Sequence, residues 1–274
     1  MKALKIFISV ALILGIGVMG YAGYQLYETK QVYKEGNAVY EDLNNRVKKT
    51  PAAEDPQTQT TGIAAGGLPD PQETEPQEAH PQVYIPDFEI DFETLKTINK
   101  DSAAWLYSPG TVIDYPVMEA SDYDYYLNHL ADGTVNANGT LFIDYNNAPD
   151  FSGQVTVIYG HHMKSGSMFG GLSGYKEQTY YDEHPYMYLY TQQGNYRIDI
   201  MHGFVIAEEQ WREQAFMYDE NTEALLEYAK YNTTFQSGVE HEDRDRIIAL
   251  STCSYEFYNA RYVVIGILTP EYIP

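Results

Sequence analysis

The sequence predicts a mainly β protein whose folded domain is a closed or nearly closed barrel of about eight strands. The chain is 44% hydrophobic and holds 27 tyrosines, which supplies material for a packed core and favours strands over helices. Seven short strand-like runs fill its last two thirds, separated by turn signals such as Asn138-Gly139. An uncharged apolar run near the amino terminus predicts that a membrane helix precedes this barrel.

The first element in chain order is the predicted transmembrane helix, Ile6–Tyr24, which approaches the ~20 residues needed to cross a bilayer. Lys2 and Lys5 precede it, but Lys30 and Lys34 follow it, so the positive-inside rule gives nearly a tie. We expect residues 1–5 on the cytoplasmic side and the bulk of the chain outside, partly because of the chemistry described below. A cleaved signal peptide is the competing interpretation, because small residues at 20–22 offer a cleavage site.

Two spacer segments are predicted between this helix and the folded domain. Residues 25–50 carry apolar side chains at spacings of seven and four among charged ones, which indicates an amphipathic juxtamembrane helical stalk, interrupted at Gly36 and otherwise solvated. Residues 51–82 hold six prolines and six acidic residues and no basic one. Such a composition cannot bury enough apolar surface to offset chain entropy, so a disordered acidic linker is expected there.

Residues 83–274 are predicted to form the folded domain. It opens with a helix around Phe92–Ile98 with Asp91 as its N-cap, and a second helix, Asn221–Tyr231, interrupts the strands late in the chain. The predicted strands are Thr111–Val117, Gly139–Asp144, Gln154–Tyr159, Tyr186–Thr191, Tyr196–Phe204, Arg246–Ser251 and Arg261–Leu268. A series of short strands with one inserted helix indicates a barrel.

Charge and cysteine content exclude several classes of function. With 17 basic and 39 acidic residues the formal charge is 17 − 39 = −22, so we expect no nucleic-acid partner, because binding to phosphates depends on Lys and Arg. A single cysteine, Cys253, can form no intrachain disulfide and cannot supply the several sulfurs of a zinc finger or an iron–sulfur site.

Cys253 is also a candidate nucleophile, because it follows an apolar strand in the segment IIALSTCSYEF. A strand that runs into a reactive residue holds it rigidly and leaves its side chain at the strand end. Small hydroxylated residues surround this cysteine, in place of the bulky apolar neighbours of a core cysteine. Arg261 lies eight residues later, on a strand that a short hairpin brings alongside, and His161 lies at another junction of strand and loop, in VTVIYGHHMKSG.

These three residue types suit acyl transfer through a thiol. The thiolate is the nucleophile, and an ordinary cysteine, with a pKa of about 8.5, is mostly protonated at neutral pH. A histidine can take that proton, or stabilise the thiolate as an imidazolium, and later protonate the leaving amine. A guanidinium can donate hydrogen bonds to a developing oxyanion without losing its own proton.

Two other interpretations of these residues stay open at this point. A lone cysteine is more often an inert buried residue than a nucleophile. The pair His161-His162 could hold a metal ion with His184 or His202 as a third ligand, but adjacent residues at a strand end point to opposite faces, and no carboxylate has the spacing used by zinc hydrolases. We therefore expect no metal ion, and the sequence indicates no cofactor.

The same residues lie in segments that resemble the sortases, and class B sortases in particular. These segments are GTVIDYPV (110–117), DYYLNHL (124–130), GTLFIDY (139–145), VIYGHHMKSGSMFGGL (157–172) and IIALSTCSYEFYNARYVVIG (247–266). They follow the order and spacing of that family over roughly residues 85–270. The resemblance implies a sortase β-barrel of about eight strands with amino-terminal helices and a long helix between strands six and seven, which Asn221–Tyr231 fits; it implies no need for calcium.

By this resemblance, His161 is the catalytic histidine, Cys253 the nucleophile and Arg261 the arginine that holds the oxyanion or the substrate. Ser251 and Leu127 match positions that line the substrate groove. The implied reaction is transpeptidation: the cysteine cleaves a sorting motif near the carboxyl terminus of a secreted protein through a thioester, and the amine of a cell-wall peptide precursor then takes the acyl group. Several class B members carry an acidic residue directly after the cysteine, where this chain has Ser254.

The implied partners are secreted proteins with a carboxyl-terminal sorting signal, a peptidoglycan precursor amine and the membrane that holds the amino-terminal helix. The implied location is the cell membrane of a Gram-positive type of envelope, single-pass, with the amino terminus inside and the catalytic domain facing the cell wall. Three alternatives remain: a cysteine endopeptidase that hydrolyses the same motif, a pilin-polymerising sortase, and a degenerate binding or scaffold module.

Overall fold

The structure is a computed structural model that describes residues 2–50, 86–212 and 222–270, without the side chains of residues 2–6, 8–11 and 13. The predicted linker, residues 51–82, therefore lies outside the described residues, as does Asn221. The α-helices are α1 (Lys2–Val47), α2 (Phe92–Ile98), α3 (Gln178–Glu183), α4 (Glu208–Trp211) and α5 (Thr222–Asn232). Short 3-10 helices cover Tyr125–Leu127 and Phe169–Lys176.

Eight strands close into a mixed barrel. They are β3 (Ser102–Tyr107), β4 (Asp114–Glu119), β5 (Leu141–Ile143), β6 (Val155–Tyr159), β7 (Tyr186–Thr191), β8 (Gly194–Ala207), β9 (Ile247–Cys253) and β10 (Ala260–Pro270). Around the barrel the order is β10-β8-β7-β3-β4-β5-β6-β9. The pairs β4–β5 and β6–β9 are parallel, and the others are antiparallel. Closure leaves no free sheet edge, which removes the aggregation risk of an open edge.

The buried apolar side chains form two clusters, which the alternation of side chains along β6, β8, β9 and β10 separates. The first gathers buried side chains from all eight strands and fills the barrel; on β9 it takes Ile248 and Leu250. The second lies on the other face of β6, β8, β9 and β10, and on β9 it takes Ile247 and Ala249. This outer patch would be exposed if nothing covered it.

Helix α5 covers the outer patch. Its Leu225 and Ala229, one turn apart, are buried against it, with Trp211 of α4 beside them. The predicted late helix and its apolar face are thus confirmed, and the helix joins the sixth barrel strand, β8, to the seventh, β9.

The second half of α1 differs from the predicted solvated stalk. Tyr40, Leu43 and Val47 are buried in the first cluster, because their spacing of three and four residues forms one helical stripe that meets the barrel. The predicted interruption at Gly36 is also wrong: the helix continues through it. A Cβ at Gly36 would lie 2.4 Å from the Nδ2 atom of Asn138, so glycine permits this close approach.

The end of α1 is tied to the start of the domain on the far side of the linker. Strand β1 (Lys48–Lys49) pairs with β2 (Glu89–Ile90) in a two-stranded sheet. As predicted, Asp91 caps α2: its Oδ1 accepts a hydrogen bond of 3.1 Å from the backbone N–H of Thr94. Leu95 of α2 is buried in the first cluster.

The first half of α1 contains the predicted transmembrane run, Ile6–Tyr24. Of its large apolar side chains, those described are exposed; for example, Val18 and Met19 are each 68% exposed. By length and apolarity, no helix among the residues that the structure describes qualifies as a membrane span. Part of the predicted run, residues 6, 8–11 and 13, has no described side chains.

The seven predicted strands correspond to β4–β10, with ends shifted by a few residues. One barrel strand, β3, escaped prediction. Its sequence SAAWLY has no β-branched residue, and it shows no regular alternation of apolar and polar side chains because four of its six side chains are buried. The predicted fold class is confirmed, since β3 completes the eight strands.

Candidate active site

The candidate nucleophile is the last residue of β9; one neighbouring strand, β10, carries Arg261, and the other, β6, ends two residues before His161. On one side β9 pairs in parallel with β6, and on the other it is antiparallel to β10. Cys253 is directly opposite Arg261 in the β9–β10 register. Opposite residues of an antiparallel pair lie about 4.5–5.5 Å apart at Cα and present their side chains on the same face. The sulfur and the guanidinium therefore share one face of the sheet.

His161 follows β6 by two residues. The last pair of the β6–β9 register is Tyr159 with Ser251, so His161 and Cys253 each lie two residues beyond the same rung of the parallel ladder. Hydrogen bonds hold the two segments together beyond the end of β6. The backbone N–H of Gly160 donates to the Ser251 carbonyl (3.2 Å), and the Thr252 hydroxyl donates to the Gly160 carbonyl (2.8 Å).

The three candidates continue the apolar face under α5 toward the strand ends. On β9 the alternate residues run Ile247, Ala249, Ser251, Cys253, and on β6 they run Val155, Val157, Tyr159, His161. On β10 they run Ile267, Ile265, Val263, Arg261. We call His161, Cys253 and Arg261 the strand-end row. Each member of the row thus follows a series of mainly apolar residues on the same face, with Ser251 as the polar exception.

A separate segment orients the ring of His161. Its Nε2 donates a hydrogen bond of 2.8 Å to the carbonyl oxygen of Leu127. A carbonyl only accepts, so Nε2 carries a proton, and Nδ1 is the nitrogen that can gain or lose one. Gly139 packs against the ring: a Cβ there would lie 3.1 Å from its Cδ2 and 2.6 Å from the Tyr126 carbonyl, and the φ of Gly139 is +59°. Only glycine accepts both constraints at low cost.

Arg261 is held by a carboxylate. Its Nη2 lies 2.9 Å from Oε2 of Glu208, and its Nη1 donates to the Ala260 carbonyl (3.2 Å). Both side chains of the ion pair are mostly buried, at 20% and 22% exposure. Cys253 is half-buried and remains open to solvent in part.

The loop between β9 and β10 is fixed by a second ion pair next to Cys253. Lys176 donates to the Ser254 hydroxyl (3.0 Å) and forms a salt bridge with Glu256. Burial alone would raise the pKa of Glu256, but the hydrogen bonds from Lys176 and Ser254 outweigh it and lower that pKa to about 2. Three exposed aromatic residues lie in this loop: Tyr255, Phe257 and Tyr258.

The two predicted groove residues meet different surroundings. Ser251 is 1% exposed, and its buried hydroxyl has no hydrogen-bond partner among the described residues. Leu127 meets the row through its backbone carbonyl, while its half-buried side chain packs on the barrel core. His162, beside the candidate histidine, donates from Nδ1 to the Cys253 carbonyl (2.9 Å).

Two residues of the site could not be placed from the sequence. Glu208 contacts Arg261, and Lys176 contacts Ser254 next to Cys253, because β8 and the 3-10 helix Phe169–Lys176 pack beside β10. No motif surrounds either residue. A cue existed for Glu208 alone, since it continues the alternation of Phe204 and Ile206 on the outer face of β8.

Comparison with known proteins agrees with this geometry. The family model of the sortase domain matches residues 106–269, more than half of the chain. The chain belongs to the sortase family. The sortase B of Listeria monocytogenes is 34% identical over 184 residues, which cover 66% of this chain and 75% of that protein.

Two solved sortases share the fold. A substrate complex of Staphylococcus aureus sortase B matches with a TM-score of 0.61 at 28% identity, over 66% of this chain and 85% of that one. Sortase B of Clostridium perfringens matches with a TM-score of 0.60 at 28% identity, over 65% of this chain and 98% of that one. The relatives are class B, so the chain is a sortase of the B type and a cysteine transpeptidase.

Proposed function

We propose that this sortase uses Cys253, His161 and Arg261 to cut a sorting motif near the carboxyl terminus of secreted proteins and to join them to a cell-wall amine. The observation that carries the proposal is the strand-end row. Cys253 and Arg261 are paired directly across β9 and β10, and His161 follows β6, the other neighbour of β9, by two residues. The S. aureus relative was solved as a substrate complex, which supports substrate binding by this chain.

In the first half of the reaction the thiol proton of Cys253 passes to Nδ1 of His161, and the sulfur attacks a backbone carbonyl carbon of the motif. The carbonyl oxygen becomes an oxyanion, and the Arg261 guanidinium donates to it across the β9–β10 pair. As the oxyanion collapses, the C–N bond breaks and His161 gives a proton from Nδ1 to the leaving amine. The products are a thioester on Cys253 and the released carboxyl-terminal tail.

In the second half an amine of a peptidoglycan precursor attacks the thioester. His161 accepts the proton of this amine at Nδ1, the C–S bond breaks, and Cys253 returns as the thiolate. Fixation of Nε2 by the Leu127 carbonyl supports this assignment, because it leaves a single ring nitrogen for both proton transfers.

Ser251 and Leu127 are proposed to contribute to the substrate groove in different ways. Ser251 lies two residues before Cys253 on β9 and shares its face, so it is proposed to form the buried floor of the groove beneath the nucleophile. Leu127 acts through its carbonyl on His161 and lines the groove next to it.

We propose that the enzyme works outside a Gram-positive type of cell, single-pass in the membrane with its amino terminus inside. The uncharged run Ile6–Tyr24 is the proposed anchor, and the exposure of its described apolar side chains on α1 supports it, because exposed apolar side chains favour lipid over water. Residues 51–82 are the proposed flexible linker. An external location suits a substrate that is secreted and an acceptor that belongs to the wall.

The test is cleavage of quenched fluorescent peptides that carry candidate sorting motifs, by the full chain and by Cys253→Ala. We expect cleavage only with Cys253 present, and a peptide–amine conjugate when a diamino acid or oligoglycine is added. Hydrolysis that ignores added amine would indicate the endopeptidase alternative. A conjugate with a lysine side chain of a pilin peptide alone would indicate a polymerising sortase. Equal activity of Cys253→Ala would overturn the proposal.

A further inference from the structure

One carboxylate joins two arginines at the end of β8. Glu208 Oε2 lies 2.9 Å from Nη2 of Arg261, and Glu208 Oε1 lies 3.1 Å from Nη2 of Arg212, the first residue after α4. The guanidinium of Arg212 also lies over the ring of Tyr123, 4.6 Å from its centroid. We call Arg212, Glu208 and Arg261 the arginine cluster.

The position of Glu208 follows from the sheet. Strand β8 is the neighbour of β10, and Arg261 is opposite Ile206 in their register. Glu208, two residues further, therefore lies diagonal to Arg261 on the same face, within reach of a long side chain. Its backbone N–H donates to the Asn259 carbonyl (2.9 Å), which fixes it at the base of the loop that follows Cys253.

The charges of the cluster matter for an oxyanion. A carboxylate next to Arg261 alone would cancel the positive charge that the oxyanion needs. Because Arg212 shares that carboxylate, two positive charges meet one negative charge, and a net charge of +1 remains. The carboxylate can then hold the guanidinium of Arg261 in one place without neutralising the site.

We propose that Glu208 is a positioning residue for Arg261, and that Arg212 offsets its charge so that the arginine cluster stays cationic beside Cys253. The inference rests on the proposed function of the strand-end row and adds two residues to it. Glu208 acts through Arg261, and Arg212 acts through Glu208.

The test compares two reactions of the same thiol in the full chain. Acylation of Cys253 by p-nitrophenyl acetate passes through an oxyanion, whereas its alkylation by iodoacetamide does not. Each reaction is assigned to the single cysteine by subtracting the rate measured with Cys253→Ala. The ratio of the two rate constants therefore reports stabilisation of the oxyanion. A variant that merely loosens the fold changes both rates together.

For Glu208→Gln we expect the acylation rate to fall about tenfold with alkylation unchanged, less than the 10²–10³-fold cost of removing an oxyanion donor outright. The loss would occur although the substitution makes the site more positive, which separates positioning from charge. Glu209→Gln is the matched control, because it removes the same charge from the exposed neighbouring residue. An equal ratio of rates in Glu208→Gln and Glu209→Gln would overturn the role of Glu208.

For Arg212→Gln we expect the acylation rate to fall about fourfold at low ionic strength, an effect that salt reduces. Arg212→Lys keeps the charge and should retain the rate. Equal loss in both variants would overturn the charge argument. These outcomes can be told apart from a failure of the proposed function. If Cys253 forms no thioester with any peptide, the proposed transpeptidation is wrong. The ratio of the acylation and alkylation rate constants still reports the effect of Glu208 on Arg261 in that case.

Discussion

Tyr40→Phe tests whether the second half of α1 belongs to the catalytic domain. The Tyr40 hydroxyl donates to the carbonyl of Gly139 and lies 2.8 Å from the Thr140 hydroxyl, 100 residues along the chain. The side chain is 3% exposed, and its ring meets that of Tyr115 edge to face at 5.2 Å. Phenylalanine keeps the ring and removes only the hydroxyl.

The magnitude follows from the carbonyl that is left behind. The Gly139 carbonyl loses its donor in a buried place, and an unsatisfied buried group costs about 1–3 kcal/mol. For a chain of this size each kcal/mol lowers Tm by about 2–4 °C, so we expect a decrease of about 2–12 °C. Because Gly139 also packs against the His161 ring, alkylation of Cys253 should slow as well.

Differential scanning calorimetry of the full chain measures this effect. Tyr231→Phe is the matched control, because Tyr231 is 89% exposed and its substitution should leave Tm unchanged. If Tyr40→Phe lowers Tm no more than Tyr231→Phe does, α1 is not held to the barrel by this hydroxyl and the account of its packing is wrong.

Three further substitutions test other contacts. Gly36→Ala should lower Tm, because the added Cβ would lie 2.4 Å from Asn138 Nδ2. Overpacking costs about 1–3 kcal/mol, which outweighs the ~1 kcal/mol gained in helix propensity, and a raised Tm would contradict this. The lowered pKa of Glu256 stabilises the native state above pH 4.5, and this contribution is lost as the pH falls through about 2. Lys176→Met should remove that contribution, so the denaturation curves of variant and parent should converge on acidification. A difference in stability that does not change with pH would refute it. Burial lowers the pKa of His202 below 6.5, so the native state holds its neutral form and loses stability as the pH falls below 6.5. His202→Gln should lose less stability over that pH range, and an unchanged slope of stability against pH would count against this.

The parts of this enzyme that sequence could predict are those set by local patterns. Cys253 and Arg261 were predicted as neighbours because a short hairpin joins their strands, and the β9–β10 register pairs them directly. The amphipathic pattern of α5 predicted its buried face for the same local reason.

The parts that escaped prediction depend on contacts between distant segments. Glu208 meets Arg261 because β8 pairs with β10, and nothing near Glu208 in the sequence records that pairing. The charged residues of 25–50 predict a solvated stalk that includes Tyr40. Its burial depends on a contact with Gly139, whose carbonyl accepts a hydrogen bond from the Tyr40 hydroxyl. Such contacts are determined by the closed barrel as a whole.

Intact-mass spectrometry of the full chain, mixed with candidate sorting-motif peptides, tests the central claim most directly. We predict a single adduct on Cys253 whose mass equals the amino-terminal fragment of the peptide, released by an added amine and missing in Cys253→Ala. Cleavage of the peptide without any adduct on Cys253, or an adduct that persists in Cys253→Ala, would contradict the account.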